Sequence, residues 1–202
     1  MLRKSPAKTR KTRKTRRRWP WYVEIPVLVL MTIVLSLTVR ACLFQVFTVP
    51  SGSMENTLGI GDRIAVNKLT PLFGWEPSQG DVVVFKDPGG WLPSGEGDYL
   101  VKRVVATGGD TVQCTGTTMK VNGTALDESA YLYPGDNSCS GYGDFGPVTV
   151  PQGDVWVEGD HRGDSADSRY HQTGTDKGAV PVSDVVGPAE AVIWPLDELS
   201  WL

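Results

Sequence analysis

Histidine is nearly missing from this chain: its 202 residues include only His161 and His171. Cysteine is scarce too, limited to Cys42, Cys114 and Cys139, with no Cys-x-x-Cys pair. Together the two shortages leave no ligand spacing suited to zinc, so neither a metal nor another cofactor is expected. No fixed period repeats along the sequence, which argues against a repeat architecture. Helix-friendly stretches are few, because 23 glycines and 14 prolines break the chain into short runs. Long apolar runs are lacking except for one, Ile25 to Val39. Acidic residues are absent from positions 1–18, which carry ten of the twenty Lys and Arg.

What remains is strongly asymmetric. Past residue 18, ten basic residues face twenty-three acidic ones, so the net charge of −3 conceals a basic arm and an acidic body. The arm has no apolar periodicity and reads as disordered. Nucleic-acid binding is one use for such an arm. Here apolar sequence follows at once, and Trp19, Trp21 and Tyr22 sit at the junction, where amphipathic rings favour lipid headgroups. We therefore read 1–22 as a cytoplasmic tail and 23–44 as a single transmembrane helix in a lipid bilayer, with no nucleic-acid partner. About 20 residues cross a hydrocarbon core. Val23 to Phe44 reaches that length with Glu24 at the inner interface and Arg40 snorkelling to the outer one. A cleaved signal peptide is the competing reading, but no small-x-small site follows the run. The excess of Lys and Arg places the N-terminus in the cytoplasm and residues 45–202 on the far side.

That external part reads as mostly β. Ile64–Val66, Val82–Phe85, Leu100–Ala106, Val148–Val150 and Val155–Val157 are short β-rich runs bounded by Gly, Pro and Asp. Asn122-Gly123 between apolar flanks signals a hairpin. Tyr131 to Pro147, rich in Gly, Ser, Asp and Tyr, reads as an irregular insertion. Cys114 and Cys139 both fall where oxidation is allowed and could pair; the sequence leaves this open. The ending Val192-Ile193-Trp194 reads as a last strand, with Trp194 in the core and Trp201 in a partly exposed tail.

Three segments carry chemistry. Pro50-Ser51-Gly52-Ser53-Met54 follows the apolar run; Lys102 sits in the apolar stretch Tyr99 to Val105; Gly159 to Arg169 is a polar loop. A serine hydroxyl is a poor nucleophile and needs a base. His161, flanked by Asp160 and near Asp164, keeps a Ser-His-Asp triad open. A Ser-Lys pair is the alternative. It needs a neutral amine, which burial supplies by disfavouring the ammonium.

The three segments, in this order, resemble type I signal peptidase, a membrane serine protease family, from Phe47 to the end of the chain. The resemblance implies an extracytoplasmic β catalytic domain, 45–202, with a smaller inserted β subdomain over about 111–147. It implies a plasma-membrane enzyme whose partners are preprotein signal peptides, the bilayer and the secretion machinery. It assigns Ser53 as nucleophile and Lys102 as base, with the Ser51 hydroxyl and the Ser53 N–H receiving the oxyanion. Ser165 matches the hydroxyl that orients the lysine. Asp160, Arg162, Asp167 and Arg169, with Arg103 beside the lysine, match charges that hold the loop, with Asp167 paired to Arg169 or Arg162. Phe47, Val49, Met54, Leu58 and Val101 match the pocket that admits small residues at the first and third positions before the cut, with substrate added as a strand. Apolar loops at 72–75 and 91–92 are expected to dip into the headgroups.

Three departures stand out. Asn56 replaces a proline in the first motif, so its turn forms without a fixed φ. Gly163 and Asp164 alter the polar loop, and Asp164 is expected to point away from Lys102, toward Arg162. The span is single, whereas some members have more. A cytosolic self-cleaving Ser/Lys peptidase does not suit a chain with a membrane span. A non-enzymatic, membrane-anchored binding module has no need of Ser53, Lys102 and Ser165 together.

Overall fold

The computed structural model describes residues 20–202 apart from 94, 96 and 175, and within 38–42 it describes the backbone alone. Nearly all of the expected basic tail thus lies outside the described residues.

The chain enters a 23-residue helix, α1 (Trp21–Leu43), whose first turn is anchored by Val23 and Glu24 N–H groups on Pro20 O. Its described side chains, those of 21–37 and Leu43, are exposed except half-buried Val23 and Leu43. Among the residues with described side chains, no helix is long and apolar enough to cross a membrane.

From Phe44 onward the chain is β. Strands β1 (Phe44–Thr48), β2 (Arg63–Asn67), β3 (Val82–Lys86) and β4 (Tyr99–Thr107) come first. Next are β5 (Thr111–Thr115), β6 (Thr118–Val121), β7 (Thr124–Ala125) and β8 (Phe145–Thr149), then β9 (Asp154–Glu158), β10 (Val180–Pro181), β11 (Val185–Trp194) and β12 (Ser200–Trp201). A short helix, α2 (Leu69–Leu72), follows β2. Among the described residues, one sheet runs β1-β2-β11-β3-β4-β9-β10, with β12 paired to β11, and a second runs β7-β6-β5-β8. The second sheet is made entirely of the segment between β4 and β9. Asn122 and Gly123 both take positive φ, 54° and 79°, as a two-residue turn of type I′ requires.

The valine-rich runs form strands because branched side chains pack well on a pleated surface. Val82-Val83-Val84-Phe85 is buried on both faces. Val82 and Val84 join Val49, Met54, Leu58, Ile64 and Val66 in one cluster, while Val83 and Phe85 join Val104, Val155, Val157 and Val180 in another. A third cluster fills the second sheet around Trp156 and the Cys114–Cys139 disulfide. The pairing that the sequence left open is therefore present.

Two expectations about tryptophan fail. Trp194 stands 49% exposed rather than in the core, at the last position of β11, opposite Arg63 at the start of β2. Of the loops expected to meet headgroups, Leu72 and Phe73 are exposed, but Trp75 and Trp91 pack against the Val83–Phe85 cluster.

Candidate active site

The serine segment begins where β1 ends. Val49 is tied to the loop that follows, its N–H donating to Asp62 O and its carbonyl accepting from Gly61 N–H, each at 2.9 Å. Asp62, itself buried, accepts from Gly59 N–H at 2.8 Å and closes that loop. Between these ties a 3₁₀ turn, Gly52–Met54, carries Ser53. Met54 and Leu58 sink into the core and hold the turn from below. Ser53 is left 6% exposed, with its carbonyl accepting from His161 N–H at 3.1 Å.

Strand alternation sends Lys102 and Arg103 of β4 to opposite faces. Lys102 is 4% exposed, and its Nζ donates to Ser53 Oγ. Burial pulls its pKa down to about 8, against the nearby Asp167, which pulls up; Arg169 adds to the depression. Arg103 forms a fork on Asp160, Nε to Oδ1 at 2.8 Å and Nη2 to Oδ2 at 2.7 Å, and lies 4.2 Å from the Tyr131 ring centre. Ser51 Oγ stands 3.4 Å from Ser53 Oγ.

The Ser165 hydroxyl, expected to orient the lysine, donates to Asp167 Oδ2 at 2.6 Å and accepts from Gly159 N–H at 3.2 Å, contacts that hold the loop. Asp167 in turn pairs with Arg169, not Arg162, with contacts at 2.7 and 2.9 Å. Burial pushes the Asp167 carboxyl up, but Arg169 and the Ser165 hydroxyl outweigh it and hold the group below the ordinary range. Gly159 is required by closeness. A Cβ there would stand 2.3 Å from Ser53 O and 2.4 Å from Ser165 Oγ, inside any tolerable contact.

Two carboxylates escaped the sequence reading. Glu128 takes a two-pronged grip on Arg162, and Glu158 Oε2 lies 3.0 Å from Arg162 Nη1 and 3.5 Å from Arg169 Nε. Burial pushes Glu158 up to about 7 in spite of both arginines. One signal was available. Glu158 directly precedes Gly159, at the mouth of a loop that carries two arginines. Because the two glutamates occupy Arg162, Asp164 does not pair with it. His161 meets Ser53 through its backbone, while its ring stacks on Tyr133 at 3.9 Å and its Nδ1 faces Glu55 Oε2 at 3.2 Å. That arrangement gives the serine a lysine neighbour, not an imidazole.

Asn56 explains its own departure. Its φ is +84°, which proline's ring forbids and asparagine tolerates. Its Nδ2 donates to Leu132 O at 3.1 Å.

Two clefts meet at Ser51, Ser53 and Lys102. The first, about 60 Å³, is lined by Phe47, Val49, Ile64, Val84, Tyr99 and Val101 among others. Phe47, Val49 and Val101 thus stand in its wall, while Met54 and Leu58 belong to the core. The second, about 370 Å³, is lined by Trp91, Leu92, Pro93, Tyr142, Asp164 and Ala166 among others. Among the described residues, no group of three or more His, Cys, Asp or Glu could hold a metal ion.

The family model for signal peptidase, peptidase S26, matches residues 22–194. A probable signal peptidase I of Mycobacterium leprae is 40% identical over 223 aligned residues, covering 85% of this chain and 76% of that protein. A signal peptidase I of Mycobacterium tuberculosis is 41% identical over 216, covering 85% and 72%. Signal peptidase I T of Bacillus subtilis is 32% identical over 183, covering 88% of each.

Proposed function

The chain belongs to the signal peptidase family, peptidase S26, and from that premise we propose that this serine endopeptidase removes signal peptides from exported preproteins after small residues, using Ser53 as nucleophile and neutral Lys102 as general base. The observation that carries the reading is the Lys102 Nζ–Ser53 Oγ hydrogen bond, made in a buried site that lowers the lysine's pKa to about 8. A neutral amine at that position takes the Ser53 proton as Oγ attacks the scissile carbonyl. The oxyanion that forms faces the Ser53 N–H and the Ser51 hydroxyl, donors worth roughly 3 kcal/mol each when aimed at developing charge. The lysine then returns its proton to the leaving amine, and water, activated by the same amine, releases the acyl group. We assign the side chain before the cut to the smaller, apolar first cleft.

Ser165 works one step back. By holding Asp167 and Gly159 it fixes the loop whose His161 N–H grips Ser53 O. We assign it to supporting the site rather than to direct contact with the lysine.

Membrane anchoring through α1, with the N-terminus cytoplasmic and the catalytic part outside, rests on Val23–Phe44 and on the basic residues before it. The enzyme then stands where the signal peptide, itself embedded in the bilayer, emerges.

The test is cleavage of a preprotein with an Ala-x-Ala site, in detergent, by wild type, Ser53→Ala and Lys102→Ala. Wild type is expected to cleave at the Ala-x-Ala site, and each variant to lose at least ~10³-fold. Cleavage by either variant at near wild-type rate overturns the dyad. No cleavage by folded wild type favours a binding module.

A further inference from the structure

The second cleft has no part in the selection of small residues, yet it opens from the same Ser51, Ser53 and Lys102 as the first. A polypeptide crossing the nucleophile must place the residues before and after the scissile bond in different directions. If the narrow apolar cleft takes the side that ends in a small residue, the roomier one is left for the side that departs as the new N-terminus. We propose that the cleft walled by Trp91, Tyr142 and Asp164 binds the first residues of the mature protein, and that Asp164 makes it discriminate against acidic residues there. This inference rests on the peptidase reading above.

The walls are rigid enough to select. Trp91 stacks on His171 with ring centres 4.3 Å apart and meets Phe85 edge-on. Tyr142 is backed by Arg169, whose Cζ lies 5.0 Å from its ring centre. Asp164 is the exposed charge among the described residues lining this cleft. Among the described residues, no ion pair engages it. Arg162, two positions earlier, is held by Glu128 and Glu158, and Arg169 by Asp167. The other charge-bearing group in the wall, Lys102, is buried with its Nζ on Ser53 Oγ; it feels the Asp164 charge but forms no ion pair with it. A substrate side chain entering here therefore meets an exposed carboxylate that no ion pair occupies. A positive residue gains an exposed ion pair and a negative one meets a like charge, so each contributes a factor of up to about five.

The experiment uses the full chain in detergent and three peptides sharing one Ala-x-Ala segment, with Lys, Ala or Glu as the second residue after the cut. Wild type is expected to rank them Lys, Ala, Glu, with roughly a fivefold or greater spread in kcat/KM that shrinks in 1 M salt, where screening reaches about 3 Å. Asp164→Asn should flatten the ranking and Asp164→Lys reverse it, while the demand for a small residue before the cut stays unchanged in both. Equal rates on the three peptides by wild type, or the same ranking in both variants, overturns the inference and leaves the peptidase reading standing. No cleavage of any peptide by folded wild type overturns both.

Discussion

Lys102 shows how one residue's surroundings set its chemistry. Its pKa, about 8 against an ordinary 10.5, is lowered because burial costs the ammonium its hydration more than Asp167 returns. In the proposed mechanism, activity depends on the neutral form. We expect log kcat/KM on an uncharged peptide to climb with unit slope up to about pH 8 and to level above it. A profile that levels below pH 7 would remove Lys102 from the role of base. Stability gives an independent readout of the same shift. The folded chain binds this proton more weakly than the unfolded chain, so the penalty is fully present below about pH 8 and fades between 8 and 10.5. Lys102→Met is therefore expected to be more stable than wild type at pH 7, by at most about 3 kcal/mol, with the gain gone near pH 10.5. Equal unfolding midpoints at pH 7 would mean that the lysine's burial is already compensated.

The segment joining β7 to β8 shows at the scale of an element what the sequence concealed. Its glycines, serines and tyrosines read as an irregular insertion, and irregular it is. Yet Glu128 and Ser138 O hold Arg162, Ser140 O holds Arg169, Asp136 accepts from Gly163 N–H, and the Tyr133 N–H donates to Asp160 O. Cys139 fastens the middle of the segment to β5. It is a brace laid across the polar loop. Removing one partner of a buried ion pair costs about 3–5 kcal/mol, because the remaining charge is stranded. Glu128→Ala should therefore lower the free energy of unfolding by about that much, and Glu128→Gln, which keeps a hydrogen bond to Arg162, by less. A loss under about 1 kcal/mol for the alanine variant would mean that Glu158 satisfies Arg162 unaided. The strands themselves were legible, because runs such as Val82–Phe85 and Val155–Val157 have one conformation in which they pack. The proximity of Ser53 and Lys102 was legible through the resemblance of their segments to the family's, since residue type alone left other lysines and His161 open. The brace was not, because its contacts run from backbone carbonyls and single acids to residues 20 or more positions away. Nor was the Ser165–Asp167 hydrogen bond, because a hydroxyl suits an amine and a carboxylate equally well.

At the scale of the whole molecule, the exposed apolar residues of the β domain gather on neighbouring elements. Phe44 and Val46 lie on β1, Leu72 and Phe73 at the end of α2, Trp194 on β11 and Trp201 on β12, and β1, β2, β11 and β12 adjoin in one sheet. Leu72, Phe73 and Trp201 are 79%, 83% and 86% exposed, an arrangement that water alone does not favour. Each such side chain taken into a membrane interface gains about 2 kcal/mol, enough for a few together to seat a domain against lipid. If the proposed peptidase cuts preproteins at the membrane surface, seating should matter for preproteins held in a bilayer and not for free peptides. The Phe73→Ser/Trp201→Ser enzyme, reconstituted as the full chain, is expected to process vesicle-inserted preprotein several-fold more slowly than wild type. Its rate on a short Ala-x-Ala peptide in detergent should stay within about twofold of wild type. A parallel fall in both assays would trace the defect to folding. Unchanged rates in both would mean that anchoring through the N-terminal helix places the site by itself.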